Sequence, residues 1–229
     1  MGGQACVFYG AAQVSKDIDL VLLADAANYQ RLERALQALQ ARRIAVPPFD
    51  AAALARGHAV HFRCAAPLVE DLRIDVMTKL RDLPDFKILW DRRTVIADEG
   101  EVEFHLLSIP DLVEAKKTQR SKDWPVIELL VAIHYRENSG TPSKDWIGFW
   151  LRQARTPELL VELVERFPSE ARSESENRPL LKLALATEID ELREALDAEV
   201  RAEQAKDRAY WAPLKAELEA FRRAERGGV

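Results

Sequence analysis

Asp17 and Asp19 stand two apart in "SKDIDLVLL", where acidic and apolar residues alternate before Val21, Leu22 and Leu23. Alternation of this kind predicts a strand entering a core. Residues two apart in a strand project to one side, so both carboxylates point together, with Cα atoms roughly 6 to 7 Å apart. At about 6 Å and an effective dielectric near 20, two such charges repel by about 2 to 3 kcal/mol. The pair is therefore either solvated at a strand end or neutralised by a cation. A third carboxylate, Asp75 in "LRIDVM", lies on another predicted strand, facing away from Ile74 and Val76. Three carboxylates from neighbouring strands make a hard-oxygen cage suited to Mg²⁺ or Mn²⁺. Two such ions can bind a triphosphate and activate an attacking oxygen.

Two further features bear on anion chemistry. Gly2 and Gly3 precede Asp17 by a segment with room for a short helix and a turn, and glycines let backbone N–H groups approach phosphate oxygens closely. "KKTQRSK", Lys116 to Lys122, holds four positive charges and no acid. The tripeptide Ser-Lys-Asp occurs three times, from Ser15, Ser121 and Ser143, but only the first is followed by a second aspartate. The other two run into apolar residues at helical spacing and read as helix starts, with Pro125 in a first turn. "HAVHFRC" spaces His58, His61 and Cys64 three apart, which on a strand sends neighbours to opposite faces and argues against a shared metal.

The elements that must position these groups fall into two parts. Up to about residue 107 the chain alternates. A strand covers Asp17 to Leu23, "NYQRLERALQALQARR" is a helix, and "DAAALARG" and "PDFKILWDR" are short helices. "HAVHFRCA", "EDLRIDVMT" and "EVEFHLL" are strands. From residue 108 to 229 only helices are predicted, with "NSGTPS" and "PSEARSESENRP" as loops and a break in the last helix at "WAP", Trp211 to Pro213. The expectation is an α+β domain over 1–107 and a helical domain over 108–229, in which Trp124, Trp146 and Trp150 are core residues.

Composition sets the outer limits. The 229 residues suffice for a real hydrophobic core. Against 33 basic residues stand 38 acidic ones, a net charge of −5 that argues against a broad nucleic-acid footprint. No apolar window is long enough for a membrane span, and "MGGQACVFYG" has no secretion-signal pattern, so a cytoplasmic protein is expected. The two cysteines, Cys6 and Cys64, read as reduced thiols.

Taken together, "GGQACVFYGAAQVSKDIDLVLL", the downstream "RIDVM" and "LVEAKKTQRSKDWPVIELL" resemble the nucleotidyltransferase superfamily, the polymerase-beta-like fold. Within it the chain is most similar to small bacterial proteins of the AbiEii and minimal-nucleotidyltransferase type, often found in toxin–antitoxin or phage-defence pairs. The family pattern is a Gly-Gly or Gly-Ser pair, about a dozen residues, Asp-x-Asp, and a third Asp on a later strand. One subgroup adds a helix with Lys-x-x-x-Arg-x-Lys-Asp, matched here by Lys116, Arg120, Lys122 and Asp123. The resemblance covers roughly residues 2 to 130. It implies a mixed sheet flanked by helices and transfer of NMP from an NTP to a hydroxyl on RNA, protein or a small molecule. Asp17, Asp19 and Asp75 would hold Mg²⁺ or Mn²⁺, and Asp75 would also receive the acceptor proton. Gly2, Gly3, Ser15, Lys116 and Arg120 would bind the nucleotide, and an antitoxin-type protein is an expected partner. There are departures: Gln4 stands where many relatives have Ser, Gln13 where many have Arg, and Met1 directly precedes the Gly pair, where the family has a helix and a core strand. A catalytically silent protein of this fold, acting through a partner, is the alternative.

Overall fold

A computed structural model describes residues 1–97, 100 and 102–227. The chain is α+β with a small mixed sheet and a helical C-terminal part. It divides into two compact units, one of residues 1–115 and 208–229, the other of residues 116–207.

The first unit opens with helix α1 (Gly2–Phe8), strand β1 (Asp17–Val21) and helix α2 (Ala26–Ala38). Then come β2 (Arg42–Arg43), α3 (Ala51–Arg56), β3 (Val60–Arg63), β4 (Arg73–Met77) and α4 (Phe86–Asp91). Strands β5 (Thr94–Ala97) and β6 (Glu103–Leu106) form a separate antiparallel ribbon, and α5 (Ile109–Lys116) follows. The main sheet has the order β1-β4-β3-β2, with β1 parallel to β4 and the other pairs antiparallel. Period-two alternation sorts its faces. Val60, Phe62, Ile74 and Val76 point one way and bury themselves with Leu36 of α2 and Leu54 of α3. The acids of β1 and β4 therefore occupy the other face. Both helices start where the sequence supplies a side-chain acceptor for orphan N–H groups. Asp25 accepts from Asn28 N at 2.7 Å, and Asp50 accepts from Ala52 N and Ala53 N. Gly57 closes α3 at φ +103°, a left-handed position that suits glycine.

The second unit begins with a 3₁₀ turn (Ser121–Asp123) and continues with α6 (Trp124–Asn138), α7 (Lys144–Gln153), α8 (Pro157–Arg166), α9 (Pro168–Glu174) and α10 (Leu181–Ala186). Helix α11 (Ile189–Gly227) closes the chain and contributes its residues up to Asp207 to this unit. As expected from the third Ser-Lys-Asp, Ser143 caps α7 by accepting from Trp146 N. Trp124 and Trp150 are buried, as expected, whereas Trp146 is 37% exposed. Among the described residues no helix is long and apolar enough to cross a membrane.

Two local expectations are corrected, and one strand adds to those expected. "TVIA" is a strand, β5, because it finds β6 as its partner. "PSEARSE" is helical rather than looped: Pro168 sits in the first turn, Ala171 is fully buried, and Arg152 pairs with Glu174. Helix α11 runs on through Pro213. An interior proline costs a hydrogen bond and a steric clash. The residues beyond it are held by tertiary contacts: Leu214 is buried, Glu217 meets Arg56 and His58 at 2.8 and 2.9 Å, and Phe221 packs on His58.

The packing of the second unit has a titratable weak point. His134 is buried at 8% exposure, and its Nδ1 accepts from Trp150 Nε1 at 2.9 Å. Burial lowers its pKa below the usual histidine value. The unfolded chain therefore takes up the proton first, near pH 6.5, and stability falls as pH drops below about 6.5 toward the lower folded value. Thermal melts should show this loss for wild type. His134→Gln, which keeps an acceptor for Trp150, should flatten that part of the pH profile.

Candidate functional site

The polar face of the main sheet is built by register. Asp19 lies beside Asp75 across the parallel β1–β4 pair, and Asp75 lies beside His61 across the antiparallel β4–β3 pair. One row of the sheet therefore reads Asp19, Asp75, His61. The next row reads Asp17, Arg73, Arg63, Arg42. Adjacent strands lie about 4.8 Å apart, so groups in a row are within reach of one another.

Helix α1 packs beside β1 and is tied to it at several points. Gln4 Nε2 donates to Ser15 O at 3.0 Å, the Ser15 hydroxyl donates to Asp17 O at 3.0 Å, and Gly3 N–H reaches Asp19 Oδ2 at 3.4 Å. The glycines are sterically required. A β-carbon on Gly2, at φ +72°, would lie 1.9 Å from Asp19 Oδ2, and one on Gly3 would lie 2.4 Å from Ser15 Oγ. The backbone of the glycine pair is thus pressed against the Asp19 carboxylate and the Ser15 hydroxyl, a cradle that any side chain would fill.

Asp75 is already engaged. Arg73 grips it with a two-pronged contact, Nε to Oδ1 at 2.7 Å and Nη2 to Oδ2 at 2.9 Å, while His61 Nδ1 lies 2.8 Å from Oδ1. Burial pushes the Asp75 carboxyl up, but the hydrogen bonds and charge of His61 and Arg73 outweigh it and leave the pKa below the usual carboxylate range. Arg73 in turn is raised, first by its hydrogen bonds to Asp75 and also by the fields of Asp75, Asp17 and Asp19. All three carboxylates therefore act on one guanidinium, which relieves the like-charge repulsion expected from the sequence.

In kind, this donor set fits a divalent ion: three carboxylates on one sheet face, with a glycine backbone beside one of them. In arrangement, Arg73 and His61 hold Asp75 and must yield before it can coordinate. Among the described residues no three His, Cys, Asp or Glu side chains gather as a ready-made metal group.

Lys116 and Arg120 lie in the second unit, where the basic motif forms a knot rather than a solvated helix face. Its centre is Asp123, 3% exposed, which accepts from Thr118 Oγ1 at 2.6 Å and Arg120 Nε at 2.8 Å and pairs with Lys116 at 3.5 Å. Trp124 Nε1 donates to Thr118 O, so the knot also anchors the first turn of α6. His58, His61 and Cys64 go separate ways: His58 to Glu217, His61 to Asp75, and Cys64 into the core of the first unit. Arg73 and His61 are the site residues that sequence reading missed. For Arg73 the signal was present, since it stands two before Asp75 on a strand and shares its face. For His61 it was absent, because only the β3–β4 register brings it to Asp75.

No protein-family model, curated protein or solved structure matches this chain.

The grip of Arg73 on Asp75 can be read by titration. Asp75, with its depressed folded pKa, contributes stability that is present above the unfolded value and lost as pH falls through the folded value. In Arg73→Met the buried carboxyl loses its two-pronged partner. Its pKa, followed by ¹³C NMR, should rise, and the acid-side fall in stability should begin at higher pH. An unchanged Asp75 pKa would show that the pair does not hold the carboxylate.

Proposed function

We propose that the chain is a metal-dependent nucleotidyltransferase of the polymerase-beta-like fold. It moves NMP from an NTP to a hydroxyl on RNA, a protein or a small molecule. One observation carries this reading: Asp17, Asp19 and Asp75 share one face of a paired β1–β4 ladder, and the Gly2 backbone lies against the Asp19 carboxylate too closely for any β-carbon. The order of elements supports it as well, with a glycine-led helix, an Asp-x-Asp strand, and a third aspartate on a later strand paired to the first.

Bound Mg²⁺ or Mn²⁺ would neutralise triphosphate charge and favour ionisation of the attacking hydroxyl. Asp17 and Asp19 would hold it. Asp75 would join them as a ligand and receive the acceptor proton, with His61 at 2.8 Å to share it. The acceptor oxygen bonds to the α-phosphorus, the bond to the bridging oxygen breaks, and pyrophosphate leaves. Gly2 and Gly3 offer close backbone approach to phosphate oxygens, and Ser15 supports that cradle. Lys116 and Arg120, the cations that the family resemblance would assign to phosphate, are held by Asp123. The setting consistent with this reading is a cytoplasmic toxin–antitoxin or phage-defence pair with a protein antitoxin as partner.

A second reading has an observation of its own. Arg73 already supplies a cation to all three carboxylates, as it would in a catalytically silent protein of this fold that works by binding a partner.

A labelled-NTP transfer assay, run beside thermal melts with and without Mg²⁺, separates the two. For the enzyme, Asp17→Asn should lower transfer by about 100-fold or more, because it removes a charged ligand while keeping shape. Mg²⁺ with NTP should raise the melting temperature of wild type more than that of the variant. If wild type shows neither transfer nor metal-dependent NTP binding, the silent reading stands.

A further inference from the structure

The second unit buries two arginines side by side, at a place unrelated to the aspartate face. Arg155, in the link between α7 and α8, is 9% exposed, and Arg178, in the turn before α10, is 5% exposed. A buried guanidinium is costly unless its N–H groups are matched. Those of Arg178 are. Nη1 donates to Leu151 O at 2.7 Å, Nη2 donates to Ala154 O at 2.9 Å, and Nε and Nη2 reach Glu199. It thereby ties down the C-terminal carbonyls of α7.

Arg155 is only half matched. Nη1 also donates to Glu199, but its buried Nε has no hydrogen-bond partner among the described residues. Both buried cations thus hydrogen-bond one carboxylate, Glu199, and Glu203 adds its field at Arg155. Burial first, and the neighbouring Arg178 second, push the Arg155 pKa below the usual arginine value.

Arg155 lines a cleft of about 380 Å³, within the range of roughly 300 to 1,000 Å³ typical of small-molecule sites. Nine of the ten residues that line it are charged or polar, three of them glutamates. The rim carries two more cations. Arg152 pairs with Glu174 at 3.0 Å, and Lys206 pairs with Glu203 at 2.7 Å. Arg152 and Lys206 are about half and two-thirds exposed, while their partners Glu174 and Glu203 are 14% and 21% exposed.

We infer that this cleft binds a small phosphate-bearing anion, with the half-matched Arg155 guanidinium as its anchor and Lys206 and Arg152 closing over it from the rim. A phosphate group suits the site better than a lone carboxylate. It carries up to two charges and three oxygens in tetrahedral array, enough to satisfy a guanidinium edge and a rim cation together. The site stands independently of any transfer activity in the first unit.

The test is isothermal titration of the full chain at constant ionic strength in EDTA. The probes are inorganic phosphate, pyrophosphate and AMP, with chloride as the reference. Saturable binding of at least one probe is expected, and the pattern tells free phosphate, diphosphate and monoester apart. Arg155→Lys keeps the charge but removes the guanidinium, and affinity should fall about tenfold, the worth of one charge-assisted hydrogen bond. Lys206→Ala, at the exposed rim, should weaken binding about threefold, a loss of under 1 kcal/mol. No saturable binding of any probe to wild type overturns the inference, and so does an Arg155→Lys affinity equal to wild type. If circular dichroism shows Arg155→Lys to be unfolded, Lys206→Ala decides instead, and an affinity equal to wild type in that variant overturns the inference.

Discussion

The parallel register of β1 on β4 is the constraint on which the candidate site depends. With Asp19 beside Asp75, the acids of the two strands fall on one face, and Ile18, Leu20, Ile74 and Val76 fall on the other. Because side chains alternate with period two, a slip of one residue would send Asp17 and Asp19 toward the Leu36–Leu54 side and bring Ile18 and Leu20 out. The apolar face prevents that slip: Ile74, Val76, Val60 and Phe62 are buried together and fix β4 between its neighbours. The core of the first unit thus sets the chemistry of its other face.

Gathering three carboxylates on one face creates an electrostatic load, and the fold answers it with Arg73. The arginine sits two residues before Asp75 on the same strand and feels all three acids. It stabilises the arrangement without a ligand, and it is also the group a divalent ion must compete with for Asp75. The same residue therefore divides the catalytic reading from the silent one. A like logic governs the basic motif of the second unit. Asp123 gathers Lys116, Arg120 and Thr118 and anchors α6, so its cations are structural groups.

Arg178 and Arg155 show how two buried cations can differ in kind. One is matched by two carbonyls and a carboxylate; the other shares that carboxylate, keeps an unmatched buried N–H, and lines a cleft with part of its side chain. The first is explained by holding α7 to α11. The second is not, since a folded chain gains nothing by burying a donor with no acceptor.

Much of this was legible in the sequence, because it rests on local pattern. Alternation in "DIDLV" and "RIDVM" specified strands with acids on one side, and helical spacing after Ser108 specified a helical C-terminal part. Asp50, Gly57 and Ser143 marked helix ends by their own chemistry. What remained hidden depended on partners distant in the chain. "TVIA" became a strand only by pairing with β6, polar "PSEARSE" became a helix by burying Ala171, and α11 passed Pro213 because Leu214, Glu217 and Phe221 are held beyond it. The sequence by itself determined that three carboxylates, a glycine pair and a basic motif exist and which faces they take. Only the tertiary structure decided that His61 and Arg73 hold Asp75, that Asp123 holds Lys116 and Arg120, and that Arg155 is left with an unmatched N–H. Facing follows from a period along one strand or helix, whereas pairing follows from register and packing between segments that the sequence keeps far apart.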